Sequence, residues 1–169
     1  MSPFLKLLIP LAGIAFILWR FRHRDSLASA LHFPLARAAL PWVLLYLAWM
    51  FGTDAVMNWR GGFDFTPWQQ APLLNSAVRV LAVCFAGPLL EELVFRGLLF
   101  GALLKTPLKV PGTIIVTAVA WSLLHWDYSP AVIAVIMVQG LILGGARWRT
   151  GSVLLPAALH MMWNLYAVW

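Results

Sequence analysis

The chain has 169 residues, of which 62% are hydrophobic and 11% charged, with a mean hydropathy of +0.84. Soluble domains carry about a quarter of their residues as charged side chains, so the composition excludes a soluble enzyme, and the length allows one domain but not two sizeable ones. The formal charge of +6 does not mark a nucleic-acid binder, because the basic residues lie between apolar runs, where topology and anionic headgroups account for them.

Apolar runs predict an all-α polytopic membrane bundle with about six transmembrane helices, at about 3–19, 37–53, 72–104, 111–126, 130–146 and 152–169. Together they make a single integral membrane domain over residues 1–169. The first run has little basic character before it and ends in Arg20-Phe21-Arg22-His23-Arg24 instead of a small-residue cleavage site, so it reads as a retained helix. The loop after it carries Arg20, Arg22, Arg24 and Arg37, with His23 and His32 solvated or facing headgroups. The next connection, 54–71, has Arg60 balanced by Asp54 and Asp64. Its Trp59-Arg60-Gly61-Gly62 stretch fits either an interfacial segment or a partial lid.

The third run is the longest and contains Gly87-Pro88, where the missing N–H of proline predicts a bend or break. Its Cys84, the single cysteine, reads as a buried inert thiol that can form neither a disulfide framework nor a cysteine metal site. Arg79 is expected to snorkel or to pair with an acidic loop residue. Lys105 and Lys109 follow this run, Asp127 without a base follows the fourth, and Arg147 and Arg149 follow the fifth. The positive-inside rule then makes the odd loops cytoplasmic and puts both termini outside. Trp19, Trp59, Trp68, Trp126, Trp148 and Trp169 fall near run ends, as an interfacial belt requires. Gly97-x-x-x-Gly101 and Gly140-x-x-x-Gly144 would let helices approach closely within the chain.

Ionisable residues inside a span are costly and mark candidate sites. Glu91 and Glu92, the only glutamates, share the third run with Arg96; His125 ends the fourth, and His160 with Asn164 lies in the sixth. Glu92 and Arg96, four apart, stack on one helix face and can pair, whereas Glu91 is rotated by about 100° and needs a partner on another helix. Counted from the cytoplasmic ends of their runs, Glu91 lies at roughly 21 Å, His125 at roughly 24 Å, Asn164 at roughly 21 Å and His160 at roughly 15 Å. His160 and Asn164 also share a helix face. Side chains at such overlapping depths suit hydrolysis: a carboxylate with an imidazole takes a proton from water, and an imidazole N–H and an amide donate to an oxyanion. Ser122 neighbours His125 without any motif marking it as a nucleophile, and there is no His-Glu-x-x-His. A zinc site on Glu91, His125 and His160 stays chemically open at this point.

Glu-Glu-Leu-Val-Phe-Arg (91–96) resembles the Glu-Glu-x-x-x-Arg motif of the CAAX-protease and bacteriocin-processing family, glutamate-dependent intramembrane proteases that include the Rce1-type enzymes. Trp121-Ser-Leu-Leu-His125 resembles the family's Phe-x-x-x-His with tryptophan in place of phenylalanine, and His160-Met-Met-Trp-Asn164 matches its His-x-x-x-Asn. The Arg-Thr-Gly-Ser turn at 149–152 is similar as well, and the family core covers about 72–169. The resemblance implies that Glu91 is the general base acting with His125, that His160 and Asn164 stabilise the oxyanion, and that Glu92 and Arg96 hold the architecture. It further implies that Trp121 forms an aromatic wall and that no metal or other cofactor takes part. The implied partners are the bilayer and a membrane-anchored protein or peptide substrate. A size near the family's minimum and a site nearer the outer face point to a bacterial inner membrane, and small members of this kind resemble the proteases paired with C-terminal sorting signals of the JDVT-CTERM or MYXO-CTERM kind. The alternatives are a non-enzymatic membrane scaffold or immunity protein of the same fold, and a transporter with Glu91 as proton relay; the absence of evident repeats argues against the latter.

Overall fold

Proline and polar caps set the helix ends. The computed structural model describes residues 2–23 and 25–168, so Arg24 and Trp169 lie outside the described residues. Helix α1 (Pro3–Arg20) opens with Pro3 in its first turn and the Ser2 hydroxyl accepting from the Leu5 N–H. Helix α2 (Ala36–Met57) closes on Asn58 in the left-handed region at φ 49°. Helices α3 (Leu73–Leu103) and α4 (Lys109–Leu123) follow. Helix α5 (Pro130–Thr150) starts on a Ser129 cap with Pro130 behind it and ends at Gly151, whose left-handed φ of 69° favours a residue without Cβ. Helix α6 (Leu154–Val168) completes the chain. Among the described residues there is no strand, and the protein is an all-α polytopic bundle.

Four of these helices, α1, α2, α3 and α5, are long and apolar enough to cross a membrane. Helices α4 and α6 are apolar but have 15 residues each, about 22 Å at the α-helical rise and short of a hydrocarbon core of about 30 Å. Apolar side chains such as Leu8, Phe16, Leu44 and Phe51 are exposed on α1 and α2, as lipid contact requires. Cys84 is fully buried, and His23 and His32 are exposed.

At Gly87-Pro88 the helix does not break. Helix α3 continues through it, and the turns Leu81–Ala86 and Leu93–Leu99 widen to π-helical bonding on either side of Gly87–Glu92. The Gly87 N–H donates to the Ala82 carbonyl, five residues back. A wider turn relieves the crowding that a proline ring imposes on the preceding turn of a regular α-helix. The first loop is also more than a basic linker. Leu27 and Ala30 are buried against Ile17, Leu93 and Val153, and the Val153 N–H donates to the Ala30 carbonyl at 2.8 Å. The Ser152 hydroxyl donates to the His32 carbonyl, so the 149–152 turn docks on that loop.

Helix α5 is the most enclosed of the four long helices. A Cβ on Gly140 would stand 3.0 Å from the Ala118 Cβ and 3.1 Å from the Trp121 ring, and one on Gly144 would stand 3.1 Å from Ile114. This pair of glycines therefore seats α5 on α4 within the chain. Gly97 instead faces Leu27, and Gly101 faces open space, so the other glycine pair forms no helix seam.

Helix α3 is tied to α5 by Arg96, which is fully buried. Its Nη1 donates to Glu92 Oε1 at 2.9 Å and its Nη2 to the Gly140 carbonyl at 3.2 Å. Arg147, read from sequence as a loop base, turns inward instead: its Nε donates to the Arg96 carbonyl at 2.8 Å and its guanidinium lies over the Phe100 ring. Removing one partner of such a pair leaves an uncompensated charge in low dielectric and costs about 3–5 kcal/mol, while replacing both with apolar groups costs far less. Accordingly, Arg96→Ala is expected to lower the melting midpoint sharply, and Glu92→Leu with Arg96→Met to recover most of the loss; the buried Cys84 thiol, titrated with a thiol-reactive dye during heating, reports both. In the same assay Gly140→Val should destabilise through the Ala118 and Trp121 contacts, whereas Gly101→Val should leave the midpoint within a degree or two.

Candidate active site

Helices α1, α3, α4, α5 and α6 and the connection after α2 line a cavity of about 670 Å³. Glu91 reaches it from α3, Trp121 and His125 from the end of α4, and His160 and Asn164 from α6. Glu92 and Arg96 lie behind this wall and are fully buried. The rotation of about 100° between adjacent helical residues thus sends one glutamate to the cavity and the other to the interior.

The connection after α2 takes the lid alternative: Trp59, Phe63, Phe65 and Trp68 line the cavity. Arg60 donates from N and Nε to Asp54 at 2.9 and 3.1 Å. The Tyr166 hydroxyl donates to the same carboxylate at 2.7 Å, beneath the Arg60 guanidinium. Trp59 is not a belt residue. It is 7% exposed and meets Phe63 and Trp163 edge-on, each at 5.3 Å, whereas Trp19, Trp126 and Trp148 are exposed. Among the described residues Arg79 reaches no acidic side chain; its Nη1 points to the Pro67 carbonyl at 3.5 Å, and the Ser76 hydroxyl donates to the Trp68 carbonyl. At the cavity wall the Thr66 hydroxyl and N–H hold the Asp64 carboxyl below the usual carboxylate range.

Each polar residue of the cavity has a definite partner. Glu91 Oε2 accepts from the Trp121 indole N–H at 2.7 Å, so the cross-helix partner that its isolation demanded is an indole. His125 stands just past α4 with Nδ1 3.2 Å from the Trp121 carbonyl. A carbonyl only accepts, so Nδ1 carries a proton, and in the neutral ring Nε2 keeps a lone pair. The His125 ring stacks on Tyr128 at 6.0 Å, and Phe63 of the lid meets Tyr128 edge-on. His160 Nδ1 lies 3.2 Å from Glu92 Oε1, the oxygen that also accepts from Arg96. Glu92 therefore holds His160 as well as Arg96, a pairing across 68 residues that no local spacing reveals.

Asn164 donates from Nδ2 to the Val83 carbonyl at 2.8 Å. In the widened turn that carbonyl faces the position of Pro88, which has no N–H to return. The asparagine supplies the missing donor, and Pro88 five residues on from Val83 is the sequence signal for it. The Ser122 hydroxyl, buried, donates to the Val119 carbonyl of its own helix at 2.9 Å. Sequence reasoning passed over Gln139 and Tyr46. Gln139 lines the cavity and its amide donates to the Tyr46 hydroxyl, which packs edge-on against Trp163. Neither is an acid, a base or a histidine, so neither stands out among the charged and imidazole side chains of the runs. Among the described residues no three His, Cys, Asp or Glu side chains are grouped closely enough to hold a metal ion.

A family model, type II CAAX prenyl endopeptidase Rce1-like, matches residues 73–166, more than half of the chain. No curated protein and no solved structure matches it. The matched segment contains Glu91, Glu92, Arg96, Trp121, His125, His160 and Asn164. The chain belongs to the Rce1-like family and is a membrane protein of a CAAX-type intramembrane protease family.

Proposed function

We propose that this protein is a glutamate-dependent endopeptidase, a single integral membrane domain that cleaves a membrane-associated protein or peptide. The observation that carries the reading is the shared cavity: Glu91, His125, His160 and Asn164, brought by three helices, line one space. Glu91 has one oxygen engaged by Trp121, which leaves Oε1 to accept from a water. His125 Nε2 is a second acceptor. A water held by these two groups attacks the scissile carbonyl as its proton passes to the carboxylate or imidazole. The Asn164 amide keeps a second N–H beyond the one given to Val83, and His160 in its imidazolium form donates through Nε2, so both can bind the oxyanion. The proton then returns to the leaving amine. The aromatic lid and the Ile9 side chain suit an apolar peptide segment.

With both termini outside a bacterial inner membrane, the cavity lies nearer the outer face. That orientation favours a substrate with a C-terminal sorting anchor cut near its outer end over a cytoplasmic prenylated tail.

Two reconstituted probes test this reading in liposomes: an internally quenched farnesylated peptide ending in a CAAX sequence, and a single-span protein with a C-terminal anchor. Glu91→Gln should lower cleavage by about 10²- to 10⁴-fold with the melting midpoint unchanged; cleavage at the wild-type rate would remove Glu91 from the chemistry. Phenanthroline should leave the wild-type rate intact. Inhibition reversed by added zinc would transfer the role to a metal.

A further inference from the structure

We propose that Trp121 is a positioning residue for both members of the Glu91–His125 pair: its carbonyl, which any residue would supply, sets His125, and its indole N–H, which a phenylalanine would lack, sets Glu91. The inference rests on the hydrolase reading given above. Trp121 occupies the aromatic position of the Phe-x-x-x-His pattern, where a ring alone would serve as a wall. Here the ring also carries a donor. Its N–H to Glu91 Oε2 distance of 2.7 Å lies in the range of charge-assisted bonds, which fixes the carboxylate plane and reserves the second oxygen for water. The carbonyl of the same residue takes His125 Nδ1 and so fixes the tautomer with a lone pair on Nε2. One residue, through its side chain and its backbone, orients the acceptor on α3 and the acceptor after α4.

The indole has little freedom to give up this bond. It is 1% exposed. The Arg96 guanidinium lies 4.6 Å from its ring centroid, the His160 ring meets it edge-on at 5.0 Å, and Gly140 leaves no room for a Cβ against it. Arg96 and His160 are themselves held by Glu92, so the architectural pair reaches the cavity through the indole. Burial alone does not produce such a bond in this bundle, since the indole nitrogens of Trp49 and Trp59 are buried and meet no protein acceptor among the described residues.

The test uses the full chain with two replacements: Trp121→Phe, and the isosteric benzothienylalanine, in which sulfur takes the place of the indole N–H. Both should lower kcat on the cleaved probe by about 10- to 100-fold with KM held within about twofold, because misplacing a catalytic group costs turnover and not binding. The melting midpoint of the benzothienyl protein should match wild type, which separates positioning from folding if the phenylalanine variant is unstable. An independent readout is the ¹⁵N indole spectrum. The Trp121 resonance should be shifted downfield in wild type and move upfield in Glu91→Leu. Wild-type kcat in the benzothienyl protein, or a Trp121 resonance indifferent to Glu91, overturns the positioning role while leaving the hydrolase reading in place. A wild-type protein inert toward both probes overturns the hydrolase reading and the positioning role with it.

Discussion

In the interior of the bundle one carboxylate oxygen, Glu92 Oε1, accepts from Arg96 on its own helix and from His160 on α6. Arg96 passes the constraint to α5 through the Gly140 carbonyl, and Arg147 returns it to α3. Charges in low dielectric are tolerated only when paired and hydrogen-bonded, so this cluster admits few other arrangements of α3, α5 and α6. The remaining atoms, Glu92 Oε2 and Arg96 Nε, meet no protein partner among the described residues, and taking two ions out of water is costly in itself. The cluster's use is geometric: it presents His160 and, through the Trp121 ring, Glu91 to the cavity.

The adjacent glutamates divide the labour by helix geometry alone. Successive residues on a helix point about 100° apart, so a Glu-Glu pair at a buried wall gives one carboxylate to the interior and one to the open side. Pro88 contributes on the same helix by a different route. By withholding an N–H it frees the Val83 carbonyl, and that carbonyl orients Asn164. The cavity thus takes one ligand set from charge pairing and one from a backbone defect.

Much of this was legible in the sequence. Apolar runs located all six helices, and four-residue spacings found Glu92 with Arg96 and His160 with Asn164, because these follow from length and helical period. What stayed hidden depends on contacts between distant segments. Trp59 looks like a belt residue by position and is instead packed on Trp163; Arg147 looks like a topogenic base and binds the Arg96 carbonyl. The 54–71 connection could not be resolved as a lid until its aromatic side chains met the cavity. The Glu92–His160 and Trp121–Glu91 bonds join residues 68 and 30 apart, and no periodicity encodes them. Proline at 88 announced a disturbance in α3, but its form, widened turns on both sides of Gly87–Glu92, was not legible.

The central claim is that water, not the Glu91 carboxylate itself, attacks the peptide bond. A single turnover in ¹⁸O-water, followed by mass spectrometry of the cleaved substrate and of the Glu91 peptide, separates the two. Attack by water predicts one heavy oxygen in the new carboxyl terminus of the product and none in Glu91. Heavy oxygen in the Glu91 side chain would mean that the carboxylate had formed an anhydride with the substrate, and would contradict a water-activating base at this position.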